Sequence, residues 1–477
     1  MSHKHHNPSV CFYFQVHQPY RLKDVRITDI GELNGDYFDD EKNKAIFRKV
    51  AEKCYLPANA RMLDMIRHNP EFKVSYSLSG VFIDQCREYG PDVLKSFQDL
   101  AATGNVEFLC ETYYHSLAGI FSLQEFCAQV KKHADTIEEL FGKRPVIFRN
   151  TELIFSNEIA HIVRLLGFRG ILAEGADHVL HGRSPNVPFT PPKFRLPKEY
   201  EAIIRKNRIH TKPVREIKVL LKNYKLSDDV AFRFSNRGWA SYPLHADTFA
   251  DWIRNCSGHS INLFMDYETF GEHQWADTGI FDFLGALPFY FRSAHIPTKT
   301  PSEVITSWGK KPCDHIDAHA PVSWADTERD LSAWRGNHLQ EAALGGIYAL
   351  EAQIKATGSE QLLEIWRKLL TSDHFYYLCT KYWSDGDVHK YFSPYESPYE
   401  AYRRYSHVLE DLRMVLADYD KPKLIIARIT FDEDSKMTQQ VRKIRRTKNP
   451  ASPAGRQIRD KHQDTKNKSQ KIRRTKS

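Results

Sequence analysis

The 477-residue sequence has no long hydrophobic run. Its densest apolar stretch, residues 280–291, is interrupted by Asp282 and Pro288, and no stretch approaches the roughly 18 apolar residues that cross a bilayer. The start, MSHKHHNP, leads into an apolar run that has no small-residue cleavage site, so we expect no secretory signal. We therefore expect a protein that has no membrane partner.

Paired cysteines are also missing. The eight cysteines are scattered, none forms a CxxC pair, and none stands at zinc-finger spacing with histidine. This pattern predicts reduced, mostly buried thiols in a cytoplasmic protein. A GxGxxG fingerprint after a strand is absent as well, which weakens the alternative interpretation as a Rossmann-like sheet.

Basic residues are scarce outside the C-terminus, although the net charge is +8. Residues 436–477 contain 15 Lys and Arg and 2 Asp, and subtracting these from the totals of 68 and 60 leaves 53 basic and 58 acidic residues. The body is therefore mildly acidic. The tail has almost no large apolar residues, so we predict a disordered basic segment. Nucleic acid or another anionic polymer is expected to bind only there and without sequence specificity, unless the tail is a solvated extension without function.

Short apolar segments alternate with helical patterns in the first 300 residues. A helical stripe over residues 123–141 follows a capping box formed by Ser122 and Glu125, and a second stripe stops at Gly167 as a left-handed cap. Repeated strand–helix units favour a closed or nearly closed (β/α) barrel over an open sheet. The predicted strands cover residues 10–16, 72–78, 106–109, 146–148, 170–173, 217–221 and 261–265.

The chain is predicted to have three parts. Residues 1–300 form a (β/α) barrel with an irregular, proline-rich loop insertion near 175–245. Residues 301–425 form a helical region that completes the active site, with a capping box at Ser397-Pro-Tyr-Glu400 near its end. Residues 436–477 form the disordered basic tail.

Chemically active side chains follow the predicted strands. Active sites of parallel (β/α) barrels lie at the C-terminal ends of the strands, and His17, Glu152 and Asp266 all stand at such ends. Taken singly, His17 could be a loop hydrogen-bonding residue and Glu152 could cap the next helix. Asp266 follows an apolar run, where an ionised side chain is costly unless it is paired or has a function. Carboxylates, histidines and aromatic residues together are typical of a sugar site.

These strand-end segments resemble the motifs of glycoside hydrolase family 57, whose members are retaining α-glucan-active enzymes on an incomplete (β/α)7 barrel. The five motifs match in order along the chain. They are His17-Gln-Pro19, residues 104–115 (GNVEFLCETYYH), residues 148–152 (FRNTE), residues 265–271 (MDYETFG) and residues 331–337 (LSAWRGN).

The resemblance implies a role for each matching residue. It implies Glu152 as the catalytic nucleophile and Asp266 as the acid/base. It implies substrate contacts from His17, His115, Glu268 and Trp334. Residues 372–377 (SDHFYY) and 384–392 (SDGDVHKYF) resemble the short α-amylase-type members, whereas the longer glucanotransferases have a β-sandwich for which the chain after residue 420 has no room.

The function predicted on this basis is an α-amylase-type hydrolase that cuts inside α-1,4-glucans or maltooligosaccharides without a metal or cofactor. We expect Glu152 and Asp266 to lie roughly 5–5.5 Å apart and the pKa of Asp266 to be raised, with Glu268 as the rival acid. 4-α-Glucanotransferase or branching activity stays open, because it shares the first half-reaction. A metal-dependent polysaccharide deacetylase would need an Asp and an HxxxH pair; Asp39-Asp40 follows the first strand, but no HxxxH follows the later ones.

Overall fold

The computed structural model describes residues 7–212, 214–381 and 393–419. All seven predicted strands are present, with ends shifted by at most two residues. Their apolar side chains are almost entirely buried, as expected for parallel strands that are covered on both faces. The strands are β1 Ser9–Val16, β2 Val74–Leu78, β3 Val106–Phe108, β4 Ile147–Arg149, β5 Gly170–Ala173, β6 Lys218–Leu221 and β7 Ser260–Asp266.

The strands form two parallel sheets in an α/β fold. The first sheet has the order β3-β2-β1-β7 and the second the order β4-β5-β6. In the first sheet β1 and β7 pair over seven residues, from Ser9 beside Ser260 to Gln15 beside Asp266. This register aligns the end of β7 with the end of β1, so Asp266 lies close to the segment that begins at His17.

Backbone hydrogen bonds link the two sheets at both edges. Beside β3, Cys110 N–H donates to the Ile147 carbonyl at 3.0 Å, and Arg149 N–H donates to the Cys110 carbonyl at 2.8 Å. Beside β7, the described residues provide one backbone bond, from Asn223 N–H to the Asn262 carbonyl at 2.8 Å. The Asn262 side-chain amide reinforces it by donating to the Leu221 carbonyl at 2.9 Å. Phe264 N–H also donates to the Ser227 hydroxyl at 3.2 Å, so side chains supplement the backbone at the link beside β7.

Helices lie between the strands and continue after the last one. In the first part they are α1 Asp40–Val50, α2 Leu56–His68, α3 Gly80–Tyr89, α4 Pro91–Ala102, α5 Ala118–Phe121, α6 Leu123–Phe141, α7 Asn157–Leu166, α8 Asp177–Leu180, α9 Lys198–Lys206, α10 Tyr224–Asp228, α11 Ala246–Arg254 and α12 Ile280–Ser293. In the later part they are α13 Pro301–Trp308, α14 Ser332–Arg335, α15 His338–Tyr348, α16 Glu351–Thr357, α17 Glu360–Leu369, α18 Ser372–Tyr376 and α19 Pro398–Tyr419. Among the described helices, none combines the length and the hydropathy of a membrane span.

Local helix signals are confirmed in part. Helix α7 ends at Gly167, whose φ of 106° requires a residue without a Cβ. The capping box at the start of α6 is half wrong. The Ser122 hydroxyl accepts from Glu125 N–H at 3.2 Å, but the Glu125 carboxylate accepts from Arg367 at 2.7 Å instead of returning to Ser122. A buried ion pair to a distant helix has replaced the local bond.

Helix α18 connects the later helices to the strand ends. Ser116 and Thr371 form an antiparallel bridge, and Ser372 N–H donates to the His115 carbonyl at 2.9 Å. Asp373, the next residue, is thereby brought beside the loops that follow β1 and β3. The predicted segment 384–392 and the tail 436–477 lie outside the described residues, and the predicted three-part division of the chain stays a prediction.

Candidate active site

One cavity of about 690 Å³ lies where the loops after several strands meet. It brings together all six side chains that the sequence selected, although they come from positions spread over more than 300 residues. The loops after β1, β3 and β4, the end of β7 and helix α14 supply them. They are His17, His115, Glu152, Asp266, Glu268 and Trp334.

Glu152 lies in a short 3-10 turn, Thr151–Leu153, directly after β4. Glu152 has φ 56° and Leu153 has φ 52°, a left-handed conformation that costs non-glycine residues of order 1 kcal/mol or more. His115 shares this conformation with φ 49°. Strained backbone of this kind collects at functional sites because the surrounding structure must enforce it.

Both carboxylate oxygens of Glu152 are hydrogen-bonded. Oε1 lies 2.7 Å from Nε2 of His115, and Oε2 accepts from the indole N–H of Trp324 at 2.7 Å. Burial acts to raise the pKa of Glu152, but the hydrogen bond and charge of His115, together with the charge of Arg149, hold it below its usual value. Glu152 is therefore ionised at neutral pH.

Two of the histidines that line the cavity, His17 and His115, are stacked, with ring centroids 4.0 Å apart. Nε2 of His17 lies 2.9 Å from Oδ2 of Asp373, and its Nδ1 lies 2.7 Å from the Ser79 hydroxyl. Burial and the neighbouring charge of His115 lower the pKa of His17. The hydrogen bond to Asp373 opposes this lowering. Burial acts to raise the pKa of Asp373, but the neighbouring His17 and the charge of His115 lower it.

Asp266 is the last residue of β7 and differs from Glu152 in having no hydrogen bond to its carboxylate from the described residues. Burial and the negative charge of Glu152 raise the pKa of Asp266 to about 6, against the smaller effects of nearby cations. The direction agrees with the sequence-based expectation. The separation of roughly 5–5.5 Å expected between the two carboxyl groups stays a prediction.

Glu268 follows Asp266 in the turn Tyr267–Thr269 and is also buried. Its Oε1 accepts from the hydroxyl of Tyr55 at 2.5 Å. Burial and the charge of Asp266 raise the pKa of Glu268 to about 8, while the Tyr55 bond opposes the rise. Glu268 is thus protonated at neutral pH, and both carboxyl groups at the end of β7 can hold a proton.

Several site residues were not selected from the sequence. Trp324 binds the nucleophile candidate, and its ring also lies 5.1 Å from the Arg149 guanidinium and 5.4 Å from Nζ of Lys222. No local signal marks it. Asp373 lies in the SDHFYY segment that supports the family resemblance, so that segment could have indicated it. Trp334 was selected, and its side chain is buried in the cavity wall.

Among the described residues, donor atoms of His17, His115 and Asp373 lie within 4.8 Å of one another, but both His115 nitrogens are hydrogen-bonded to carboxylates and are not free to bind a metal. Nε2 of His17 faces the carboxylate of Asp373. The three residues come from separate loops and from α18. They therefore differ from the Asp and HxxxH set that the deacetylase hypothesis required.

Two exposed aromatic side chains border the cavity. Phe232 and Trp275 are each 59% exposed, although large apolar groups usually avoid water. The buried side chain of Gln274 donates to the Ala231 carbonyl at 2.8 Å, which ties the Trp275 loop to the Phe232 segment. The Nζ of Lys53 lies 5.2 Å from the Trp275 ring. The two rings are thus mounted on connected backbone at the mouth of the cavity.

Comparison with known proteins gives a consistent result. Residues 11–318 match the model of glycosyl hydrolase family 57. A protein of Methanocaldococcus jannaschii that carries the provisional name alpha-amylase is 38% identical over 437 residues, which cover 90% of this chain and 87% of that protein.

Solved structures share the fold at low sequence identity. A branching enzyme from Pyrococcus horikoshii has a TM-score of 0.56 and 15% identity, over 87% of this chain and 88% of its own. A 4-alpha-glucanotransferase from Thermococcus litoralis has a TM-score of 0.50 and 15% identity. That match covers 81% of this chain but only about half of the glucanotransferase, 54%. At this level of identity the likeness concerns the fold alone.

Proposed function

Because the chain belongs to glycosyl hydrolase family 57, we propose that it hydrolyses α-1,4-glucans within the chain, as an α-amylase-type enzyme that retains anomeric configuration. The observation that supports this most is the pair of carboxyl groups in one cavity whose pKa values are shifted in opposite directions, Glu152 downward and Asp266 upward. Such a pair supplies an ionised nucleophile and a protonated acid at the same pH.

In the first half-reaction Glu152 attacks the anomeric carbon and forms a glycosyl ester, while Asp266 donates its proton to the departing glycosidic oxygen. The hydrogen bonds from His115 and Trp324 orient the two oxygens of Glu152 before attack. The raised pKa of Asp266 keeps a proton available up to about pH 6.

In the second half-reaction the ionised Asp266 takes a proton from water, and the resulting hydroxide attacks the anomeric carbon and releases Glu152. The proton returns Asp266 to its starting state. The two inversions together retain configuration at the anomeric carbon.

An α-glucan substrate suits the cavity mouth. Aromatic rings pack on the apolar faces of pyranose units, and Phe232 and Trp275 offer such rings beside the cavity. The relative from Methanocaldococcus jannaschii bears an amylase name, which supports the same substrate class. Substrate contacts inside the cavity are proposed for His17, Glu268 and Trp334.

For the architecture we propose that the two linked parallel sheets form the incomplete (β/α)7 barrel of the family. The links at Cys110 and at Asn223 support this arrangement, because they join each edge of one sheet to an edge of the other. We propose that residues 301–425 complete the site, since Trp324, Trp334 and Asp373 line the cavity from that region.

Transfer to an acceptor sugar is the second candidate, because the structural relatives bear glucanotransferase and branching-enzyme names. Incubation with maltoheptaose, followed by chromatography of products over time, separates the two. New reducing ends support hydrolysis, whereas redistribution of chain lengths without new reducing ends supports transfer. Unchanged maltoheptaose would contradict both.

A further inference from the structure

Glu111 is a fully buried carboxylate that neither attacks nor protonates in the reaction proposed above. It lies three residues beyond β3 with a side chain that is 0% exposed. Its Oε1 accepts from the Ser77 hydroxyl at 2.7 Å, and its Oε2 lies 2.8 Å from Nδ1 of His115. A buried charge is costly unless it is paired, so its partners indicate why it is there.

His115 lies between Glu111 and Glu152, and its side chain is 1% exposed. Nδ1 faces Glu111 at 2.8 Å and Nε2 faces Glu152 at 2.7 Å. An ionised carboxylate only accepts hydrogen bonds, so both ring nitrogens must carry a proton to satisfy both partners. The geometry therefore corresponds to an imidazolium between two carboxylates.

The charges around the ring agree with this assignment. Burial acts to lower the pKa of His115, but the bonds to Glu111 and Glu152 raise it to about 9. Burial acts to raise the pKa of Glu111, but the His115 bond lowers it to about 2, helped by Arg149 at 3.8 Å.

Other elements also face the ring. From the loop after β1, His17 stacks on it; from α18, Asp373 lies behind His17; and from β7, Asp266 contributes its charge.

We propose that Glu111 is a positioning residue, which acts through His115 to fix the orientation and the charge of the group that binds the nucleophile. This inference rests on the proposed function of Glu152. The Glu111 side chain touches neither the cavity nor the reacting atoms, so its effect must pass through the imidazole.

The contact between Glu111 and His115 matters most in the second half-reaction. When Glu152 becomes a glycosyl ester, it loses its negative charge and no longer stabilises a cation beside it. Glu111 keeps its charge, so His115 retains both protons through the lifetime of the ester. No proton moves at His115 in either step, and the carboxylate that is released from the ester meets a donor that is already in place.

The decisive measurement uses an aryl α-glucoside or α-maltoside with a good leaving group, because its departure needs no acid and removes Asp266 from the pH profile. For the wild type we expect kcat/KM to fall at high pH near 9, as His115 loses its proton. In Glu111→Gln the amide carries no charge, and we expect this limb to move down by about one pH unit or more. Glu111→Asp should restore part of the shift.

Glu174→Gln is the matched control. Glu174 is also fully buried after a strand, and its ion-pair partners are Lys222 and Arg329 rather than His115. The alkaline limb of the kcat/KM profile of Glu174→Gln should stay near that of the wild type. If Glu111→Gln folds and its alkaline limb does not move, the inference is overturned and the proposed function stays intact. An inactive wild type would overturn the proposed function instead.

A second measurement uses the wild type alone, in case Glu111→Gln does not fold. The enzyme is trapped as its ester with a fluoro-sugar, and the ring ¹⁵N signals of His115 are recorded near pH 7.5. Two protonated nitrogens in the trapped ester support the proposal. A neutral ring, with one nitrogen deprotonated, would contradict it.

Discussion

Buried carboxyl side chains in the cavity and directly behind its wall include two groups. The histidine face consists of Glu111 and Glu152 on either side of His115, and the β7 face consists of Asp266 and Glu268. On the histidine face both carboxylates have a hydrogen bond within 3 Å to the same ring, and their pKa values are lowered. On the β7 face the pKa values rise to about 6 and about 8.

The difference shows that partners, rather than depth, decide which carboxyl group is charged. Glu111 is more deeply buried than either member of the β7 face, yet its pKa is about 2. Asp266 has no donor among the described residues, and Glu268 has a neutral phenol, so neither is hydrogen-bonded to a positively charged group. One cavity thereby holds an ionised carboxylate and a carboxyl group with a raised pKa, as the proposed nucleophile and acid require.

Replacing Glu152, the proposed nucleophile, should have the largest effect. We expect Glu152→Gln to reduce turnover of maltoheptaose by about 10⁴-fold or more, because an amide cannot form the glycosyl ester. The folded state should survive, as judged by circular dichroism. A fluoro-sugar should label the wild type at Glu152, and labelling at Glu111 or Glu268 would assign the nucleophile elsewhere.

Replacing Asp266, the proposed acid, tests the β7 face. We expect Asp266→Ala to lower kcat/KM for maltoheptaose by about 10²- to 10⁴-fold. With an aryl substrate that has a good leaving group, the ester should accumulate, and azide should restore turnover. If azide rescues Glu268→Ala and not Asp266→Ala, the acid/base is Glu268.

The pH profile of the wild type separates the same two residues without mutation. For maltoheptaose the acid must be protonated, so kcat/KM should fall as pH rises through about 6 if Asp266 is the acid. At pH 8 it should then be about 100-fold below its maximum. A limb near pH 8 would point to Glu268. The acidic limb should lie below pH 4.5, since the Glu152 pKa is lowered.

The smallest effect concerns the cavity mouth, away from both faces. We expect Trp275→Ala to raise KM for maltoheptaose by about 2- to 10-fold at nearly constant kcat, because a stacking contact of about 0.5–1.5 kcal/mol is lost. Short aryl glycosides should be unaffected. Phe289→Ala is the control, since Phe289 is 58% exposed on α12 outside the cavity. Equal effects of both changes would contradict a sugar contact at Trp275.

Much of this molecule follows from short-range sequence patterns. The apolar runs predicted all seven strands, and Gly167 predicted the end of α7. The residues after the strands supplied five of the six selected cavity residues, because parallel strands bring their carboxyl ends to one side. The sixth, Trp334 on α14, came from the family resemblance. These features depend on neighbours within a few positions.

The remaining features depend on contacts between distant segments. Asp373 reaches His17 across 356 positions, and Trp324 reaches Glu152 across 172. The left-handed backbone at Glu152 could not be predicted, because no glycine stands at that position. At α6 a local capping pattern was overridden, because Arg367 offered Glu125 an ion pair. The sequence predicted the charge states of the two faces only in part, through the expected rise of the Asp266 pKa.

The link between the sheets beside β7 matters for heating. Strand β7 is paired over seven residues with β1, but its other side is joined to the β6 segment and the helix after it by the hydrogen bonds of Asn223, Asn262 and Phe264. We expect this side to open before the β1 side as temperature rises, because fewer bonds must break there. Since Asp266 ends β7, activity should be lost several degrees below the calorimetric transition and should return on cooling. The working temperature range would then be set by one edge of one strand rather than by the stability of the whole chain.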